Sequence, residues 1–598
     1  MNRMLLSYTL CLFAVIAMPG RAPAVAPPPV SLPALMDDYV ADHRDVANAY
    51  DLPGSEIRFN HLTTLNTQWL ARLKTIPFKD LPQSAKVDYL LLRNELERGL
   101  SDMARERKEW TDLDVALAFR HEIYALELAR LNNEPLDSQS AALSVSRLTR
   151  QVRELRERVS AGLRTNTTAV TSNAVVLALS PTHTPLTLSA PLACRAASDT
   201  DKLRATLKKW FTFHDGSQPD FSWWLKKPYD AADKALEEYS KLLREEVAGI
   251  KGKDDDPIVG QPLGEAALAE SIRHEFIGYG ASTLIAIGQR ELAWCEREMK
   301  AAAREMGFGD DWKSALVKVK ADFVPPGEQD ALIDTLAREA ITFVRSRNLV
   351  TIPPLCEETW RLTMMSDETM KTIPYAAYNG QTMMVAYARD TMDHDDKLMT
   401  MRGNNRHFTR NVTPHELIPG HHLQRFQGAR HNTRRAVFST PFYVEGWALY
   451  WERRLWDLGW AKSPEDRMGM LFWRMTRAAR VEVSLKFHLG QMTASDVVDF
   501  LVDRVGHERM GATGEARRLM DEGFSPLYQA AYMLGSLQLE ALRGEVVGRN
   551  LMSEQAFNDA VLAENAIPIE LIRADLLNIP LTPDFQSSWR FAGDPLHP

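Results

Sequence analysis

Residues 413–424 read Thr-Pro-His-Glu-Leu-Ile-Pro-Gly-His-His-Leu-Gln, and no regular helix can run through them. Pro419 has no N–H to donate and its ring clashes with the carbonyl of residue 415, which disfavours an undisturbed helix by about 3 kcal/mol. Gly420 follows and frees the backbone further. The chain must kink or bulge between His415 and His421, and such bulges concentrate at functional sites.

The residue types around the break suggest metal chemistry. In the motif His-Glu-x-x-His, two histidines one helical turn apart bind zinc and the glutamate is general base for a water. Here Pro419 takes the place of the second histidine. In a straight helix His421 would point about 120° away from His415, while His422 would share its face about 10 Å further on. Ideal geometry therefore does not choose between them. Catalytic zinc usually takes three protein ligands and leaves one position for water. The run Tyr-Val-Glu-Gly-Trp-Ala-Leu-Tyr at 443–450 offers Glu445 as the carboxylate. Glu452, further along the same helix, could hold a ligand histidine as hydrogen-bond acceptor. Arg477, Arg480 and His488 on a later helix, and Tyr528 and Tyr532 beyond, are weaker candidates for the donor that a developing oxyanion needs.

Composition limits the alternatives. The chain has 598 residues, 45% hydrophobic and 25% charged, an ordinary balance for a folded protein with a large core. A formal net charge of -8, with basic residues scattered among acidic ones, argues against a nucleic-acid partner. Residues 1–26 look like an export signal: Arg3, an apolar run from Met4 to Met18, the breaker Pro19-Gly20, and small residues at Ala22-Pro23-Ala24. The run is short for a membrane span, so a retained anchor is the lesser reading. Cys194, Cys295 and Cys356 then remain, too widely spaced for a disulfide framework or a zinc finger. No other apolar run suits a membrane span, so the mature chain, 27–598, is expected to be soluble in the periplasm or outside the cell.

Helical periodicity fills most of the first 350 residues. Leu148, Val152, Leu155, Val159 and Leu163 recur at steps of three and four. A second helix is expected from about Pro228, burying Leu236, Tyr239, Leu243 and Val247, and Gly264 to Gly307 reads as two helices meeting near Gly278–Gly280. Arg164–Thr200 and Lys251–Gly264 read as loops. Short strands are expected within Thr359–Met365 and at Lys397–Arg402, where Leu398–Met401 could bind a peptide backbone by strand addition. Asn166 and Asn411 begin glycosylation-type triplets, a pattern common by chance.

Taken in order, His415 to Gln424, Glu445 to Tyr450 and Tyr532 to Gly535 resemble the signature blocks of the bacterial family called "domain of unknown function 885", whose pattern is His-Glu-x-x-Pro-Gly-His. That family is similar to a divergent, mostly helical, often exported branch of the zincin metallopeptidases. The resemblance implies a mainly α, large helical zincin-like metallopeptidase domain with a small β-sheet beside the active-site helix, its catalytic part at about 350–598. It implies one zinc on His415, His421 and Glu445, with Glu416 catalytic and His422 a neighbour. It also ranks Tyr532 above Tyr528, because 526–532 is similar to the family's Pro-Gly-Gln-Ala-x-x-Tyr, although Leu527 and Tyr528 replace its glycine and glutamine. The expected function is hydrolysis of short peptides. The alternatives are a metal-dependent hydrolase of another amide or ester, and an inactive zincin that only binds peptides.

Overall fold

The computed structural model describes residues 32–171, 184–253, 256–370, 373, 375–521 and 523–593. The signal segment lies outside them. Among the described residues no helix is long and apolar enough to cross a membrane, and Cys295 and Cys356 are buried free thiols.

Helices dominate. In the first part Gln83–Leu117, Ser138–Thr171, Ala190–His214 and Pro219–Lys241 pack together. Leu148, Val152, Leu155 and Val159 are buried in one apolar cluster with Trp210, Phe221 and Tyr239, as a stripe of that period requires. The expected helix at Pro228 begins earlier, at Pro219, and holds Pro228 inside it. Proline at the first helical position forfeits no bond that the helix would otherwise make, so Pro219 is the better start. Arg164–Thr200 is not all loop: one helix runs through Thr171, and another starts after Ser189, whose side chain accepts from the Leu192 N–H. Gly264–Gly307 does divide, into Glu265–His274 and Ala281–Glu305.

Two helices in the second half, Pro441–Asp457 and Tyr528–Val546, are buried on nearly every side. Phe442 and Leu449 face one apolar cluster while Tyr443, Trp447 and Tyr450 face another. The helices meet at glycines. A Cβ on Gly535 would stand 2.0 Å from the Phe442 carbonyl oxygen, and one on Gly446 would stand 2.7 Å from Gly535 Cα. Backbone touches backbone there, and that closeness sets Glu445 beside Tyr528.

The sheet is small. β1 (Leu362–Met364) runs parallel to β3 (Met383–Val385), and β2 (Ala376–Tyr378) pairs antiparallel with β3, giving the order β1-β3-β2. Edge strand β2 packs against the helix Arg406–Glu416. Within Thr359–Met365 only Leu362–Met364 is strand, because Thr359 closes the helix Pro354–Thr359. The other expected strand, Lys397–Arg402, is helical within His394–Gly403, so Leu398–Met401 forms no edge. Leucine and methionine favour helix. Asp395 and Asp396 in its first turn and Arg402 in its last also match the helix dipole.

Candidate metal centre

The site begins with a helix that breaks where the sequence requires it. Asn405 caps the start of Arg406–Glu416 by accepting from the N–H groups of His407 and Phe408. The helix ends at Glu416; Leu417 takes φ −104°, ψ −110°, and Gly420 takes φ −79°, ψ −130° before a new helix, His421–Gly428, starts. The Ile418–Pro419 bond between them is cis. The Gly420 N–H donates to the Pro414 carbonyl at 2.9 Å, the His422 N–H to Leu417 at 3.0 Å, and Trp447 Nε1 to Pro419 at 3.0 Å. A Cβ on Gly420 would stand 1.9 Å from the His415 carbonyl oxygen. Only glycine fits this turn.

The turn brings the His421 ring to 4.9 Å from the His415 ring, centroid to centroid, at 86°. Glu445 Oε2 lies 3.3 Å from His421 Nε2 and 3.9 Å from His415 Nε2. One donor atom from each of the three lies within 4.8 Å of the others, and all three residues are buried. Zinc held at about 2.1 Å from nitrogen and oxygen donors needs them only slightly closer. Two imidazoles and a carboxylate suit zinc chemically, and the donors are held from behind. His415 Nδ1 sits 2.7 Å from Glu452 Oε1, which leaves Nε2 for the centre. Tyr528 donates its hydroxyl to Glu445 Oε1, which leaves Oε2.

The electrostatics agree with a ligand set. Burial alone would lower the pKa of His421, but the charge and hydrogen bond of Glu445 push it up to about 9. Burial works against ionisation of Glu445 too, yet His421 and then His415 hold it far below the usual carboxylate range. The two form an ion pair, and a metal would compete with the proton on His421. Glu452 is likewise held low against burial, by Arg477 and His415.

A cavity of about 420 Å³ opens beside these donors. Glu416, Tyr528, Tyr532, Arg477, Arg480 and the edge strand β2 line it. Tyr532 stacks parallel to His415 at 6.5 Å and accepts a hydrogen bond from Arg518 Nη2 at 3.0 Å. Arg480 holds Glu515 by a two-bond fork, 2.8 Å on each arm.

Two candidates fall outside the centre. His422 faces away, with Nδ1 3.0 Å from the Tyr378 hydroxyl and Nε2 2.9 Å from the Cys356 carbonyl. Both its nitrogens are engaged, and the choice that ideal geometry left open goes to His421. His488 is a correction: it lies about 16 Å further along its helix than Arg477 at 1.5 Å per residue, beside Pro526, where burial pushes it down to about 4. Asn411 is buried at 1% exposure, which closes that triplet to a glycan. Sequence reasoning missed Glu515, Arg518, Tyr378 and the anchor Trp447. Glu515 and Arg518, three apart on one helix, look like any solvated pair until Arg480 and Tyr532 are seen against them.

The fold is mainly helical with one small mixed sheet. Residues 54–576 match the family of bacterial proteins of unknown function DUF885, and the chain belongs to that family. No curated protein matches it. A proposed lipoprotein of unknown function from Shewanella oneidensis shares the fold, with a TM-score of 0.65 and 18% identity over 92% of this chain and 100% of that one. A proposed lipoprotein from Colwellia psychrerythraea gives 0.53 and 17% over 92% and 98%. At such identities the likeness concerns the fold alone.

Proposed function

We propose that this chain is an exported, zincin-like zinc peptidase acting on short peptides. One observation supports it above the rest: His415, His421 and Glu445, brought from three helices and across a break, converge with Glu416 on one cavity. His415, His421 and Glu445 would hold the ion. Bound zinc supplies a Lewis acid and makes water nucleophilic near neutral pH. Glu416 faces the cavity next to His415, takes the proton of the attacking water and returns it to the leaving amine. Tyr532, whose oxygen accepts from Arg518, keeps its own proton to donate to the oxyanion. Burial first of all raises its pKa, so that proton is present at neutral pH.

The edge of the sheet supplies a place for a peptide backbone. Tyr375 accepts from the Ala386 N–H and Asn379 donates to Thr382, so the intervening alternation turns the backbone of Ala376 and Tyr378 away from β3. An extended substrate could add to β2 there, the role that sequence reasoning gave to Leu398–Met401. Export rests on the N-terminal run and accords with the lipoprotein descriptions of the two similar structures.

Elemental analysis of the purified mature chain is the test. About one zinc per chain is expected in the parent, by the single-ion geometry of such sites, and none in the double variant His415→Ala, His421→Ala. Glu416→Gln should keep the zinc and lose roughly 10²–10⁴-fold in peptide turnover. No metal in the parent after zinc is offered would sink the reading and leave a cleft that only binds.

A further inference from the structure

One part of the cavity wall carries more positive charge than its neighbours neutralise. Arg477 is 5% exposed. It reaches Glu452 with one nitrogen only, Nη2 at 3.7 Å, while Nε and Nη1 have no hydrogen-bond partner among the described residues. Arg480, 4% exposed, spends Nε and Nη2 on Glu515 and leaves Nη1 unpartnered among the same residues. Three guanidiniums, with Arg518, thus have Glu515 and Glu452 as near carboxylates; Glu452 is also engaged by His415, and Glu445, which acts on Arg518, is paired with His421. A buried cation with open donors is costly unless something pairs with it.

All three surround one ring. The guanidinium carbons of Arg477 and Arg480 lie 5.7 Å and 4.7 Å from the Tyr532 ring centre, and Arg518 bonds its hydroxyl. That ring in turn lies parallel to His415. The guanidiniums are therefore grouped around the one side chain that lies beside His415. A planar guanidinium fork matches a carboxylate better than any other common anion of a peptide. Arg477, Arg480 and Arg518 all line the cavity, side chains this deeply buried are reached only by the end of a chain, and a cavity of about 420 Å³ has room for few residues beyond the bond.

We propose that Arg477, supported by Arg480 and Arg518, binds the free C-terminal carboxylate of the substrate, so that the enzyme removes residues from the C-terminal end of short peptides. This rests on the peptidase reading above. Hydrolysis follows the scheme already given: water adds across one peptide bond, the new carboxyl stays on the N-terminal product, and the leaving amine gains the proton that Glu416 carries.

Titration calorimetry separates this from the reading it rests on. The full mature chain carrying Glu416→Gln, with zinc present, is titrated with N-acetyl-Ala-Ala-Ala acid, with its C-terminal amide, and with N-acetyl-Ala-Ala-Glu amide. The acid should bind at least ~10-fold tighter than either amide, the scale of one charge-assisted pair. Adding Arg477→Gln should abolish that preference without weakening the amides. Should that variant misfold by circular dichroism, Arg477→Lys, which keeps charge but not the fork, should still reduce it. A glutamyl amide bound as tightly as the acid would overturn the chain-end assignment. Equal binding of all three, or a preference untouched by the folded Arg477 variants, overturns the subsite and leaves the peptide cleft standing. No binding by any peptide overturns both.

Discussion

Glu452 shows how much of this site depends on a residue that would touch no substrate. Its Oε1 lies 2.7 Å from His415 Nδ1, on the far side of the ring from the donors that converge. A bond at that separation would leave Nε2 as the nitrogen of His415 that faces the cavity. Replacing it by glutamine removes the charge and leaves the shape. Zinc affinity should fall about 10- to 100-fold, the usual effect of losing such a partner, while circular dichroism stays that of the parent. An unchanged zinc dissociation constant would show that the ring is oriented by packing alone. At this scale the sequence was informative where a residue's type limits its use. Pro419 and Gly420 required a break, and the structure has one there. Arg477 was only one of many arginines, since nothing local distinguishes a buried, half-paired guanidinium from a solvated one.

Between elements, the crossing of Pro441–Asp457 with Tyr528–Val546 decides the site. Gly446 and Gly535 remove the side chains that would hold these helices apart, and Glu445 and Tyr528 meet as a result. Gly535→Ala forces a methyl group against the Phe442 carbonyl. It should destabilise the fold by about 1–3 kcal/mol or more, as overpacking does, and weaken zinc binding by moving Tyr528. Urea unfolding and a zinc titration read both effects. Gly544 is the control: it lies on the same helix, and a methyl group added there would meet nothing within 4 Å, so Gly544→Ala should be neutral or stabilise by about 0.5–1 kcal/mol. A Gly535→Ala variant as stable as the Gly544 control would show that the helices can separate at no cost. Most helices were legible from periodicity. The lapses, at Pro228, Arg164–Thr200 and Lys397–Arg402, came where a local cue had two readings.

For the whole molecule, acid stability follows from histidines buried in neutral form. Burial lowers His507 from its ordinary 6.5 to about 3, and lowers His274 and His488 to about 4. Each folded pKa is depressed, so the unfolded chain binds more protons in the window below 6.5. The contribution of these three histidines is therefore complete above that pH and is lost as pH drops toward 3 to 4, by about 1.4 kcal/mol per pH unit for a group such as His507. The thermal midpoint should fall between pH 6.5 and 5, where the histidines outweigh Glu564, whose buried carboxyl is raised to about 7 and acts in the opposite direction. His507→Gln, whose amide can stand in for Nε2 and keep a bond to Thr476, should flatten that slope. An unaltered slope would assign the acid sensitivity elsewhere.

The sequence by itself determined the helical class, the place of the break and the family, and it supplied the histidines and glutamates of the proposed metal site. Each follows from a local property: periodicity, a missing N–H, or a residue type at a fixed spacing. The tertiary structure alone decided that His421 rather than His422 turns inward, that β2 rather than Leu398–Met401 is the edge beside the cavity, and that Arg477 faces it half-paired. Those outcomes depend on what stands opposite each residue across the fold, and no stretch of chain carries that information within itself.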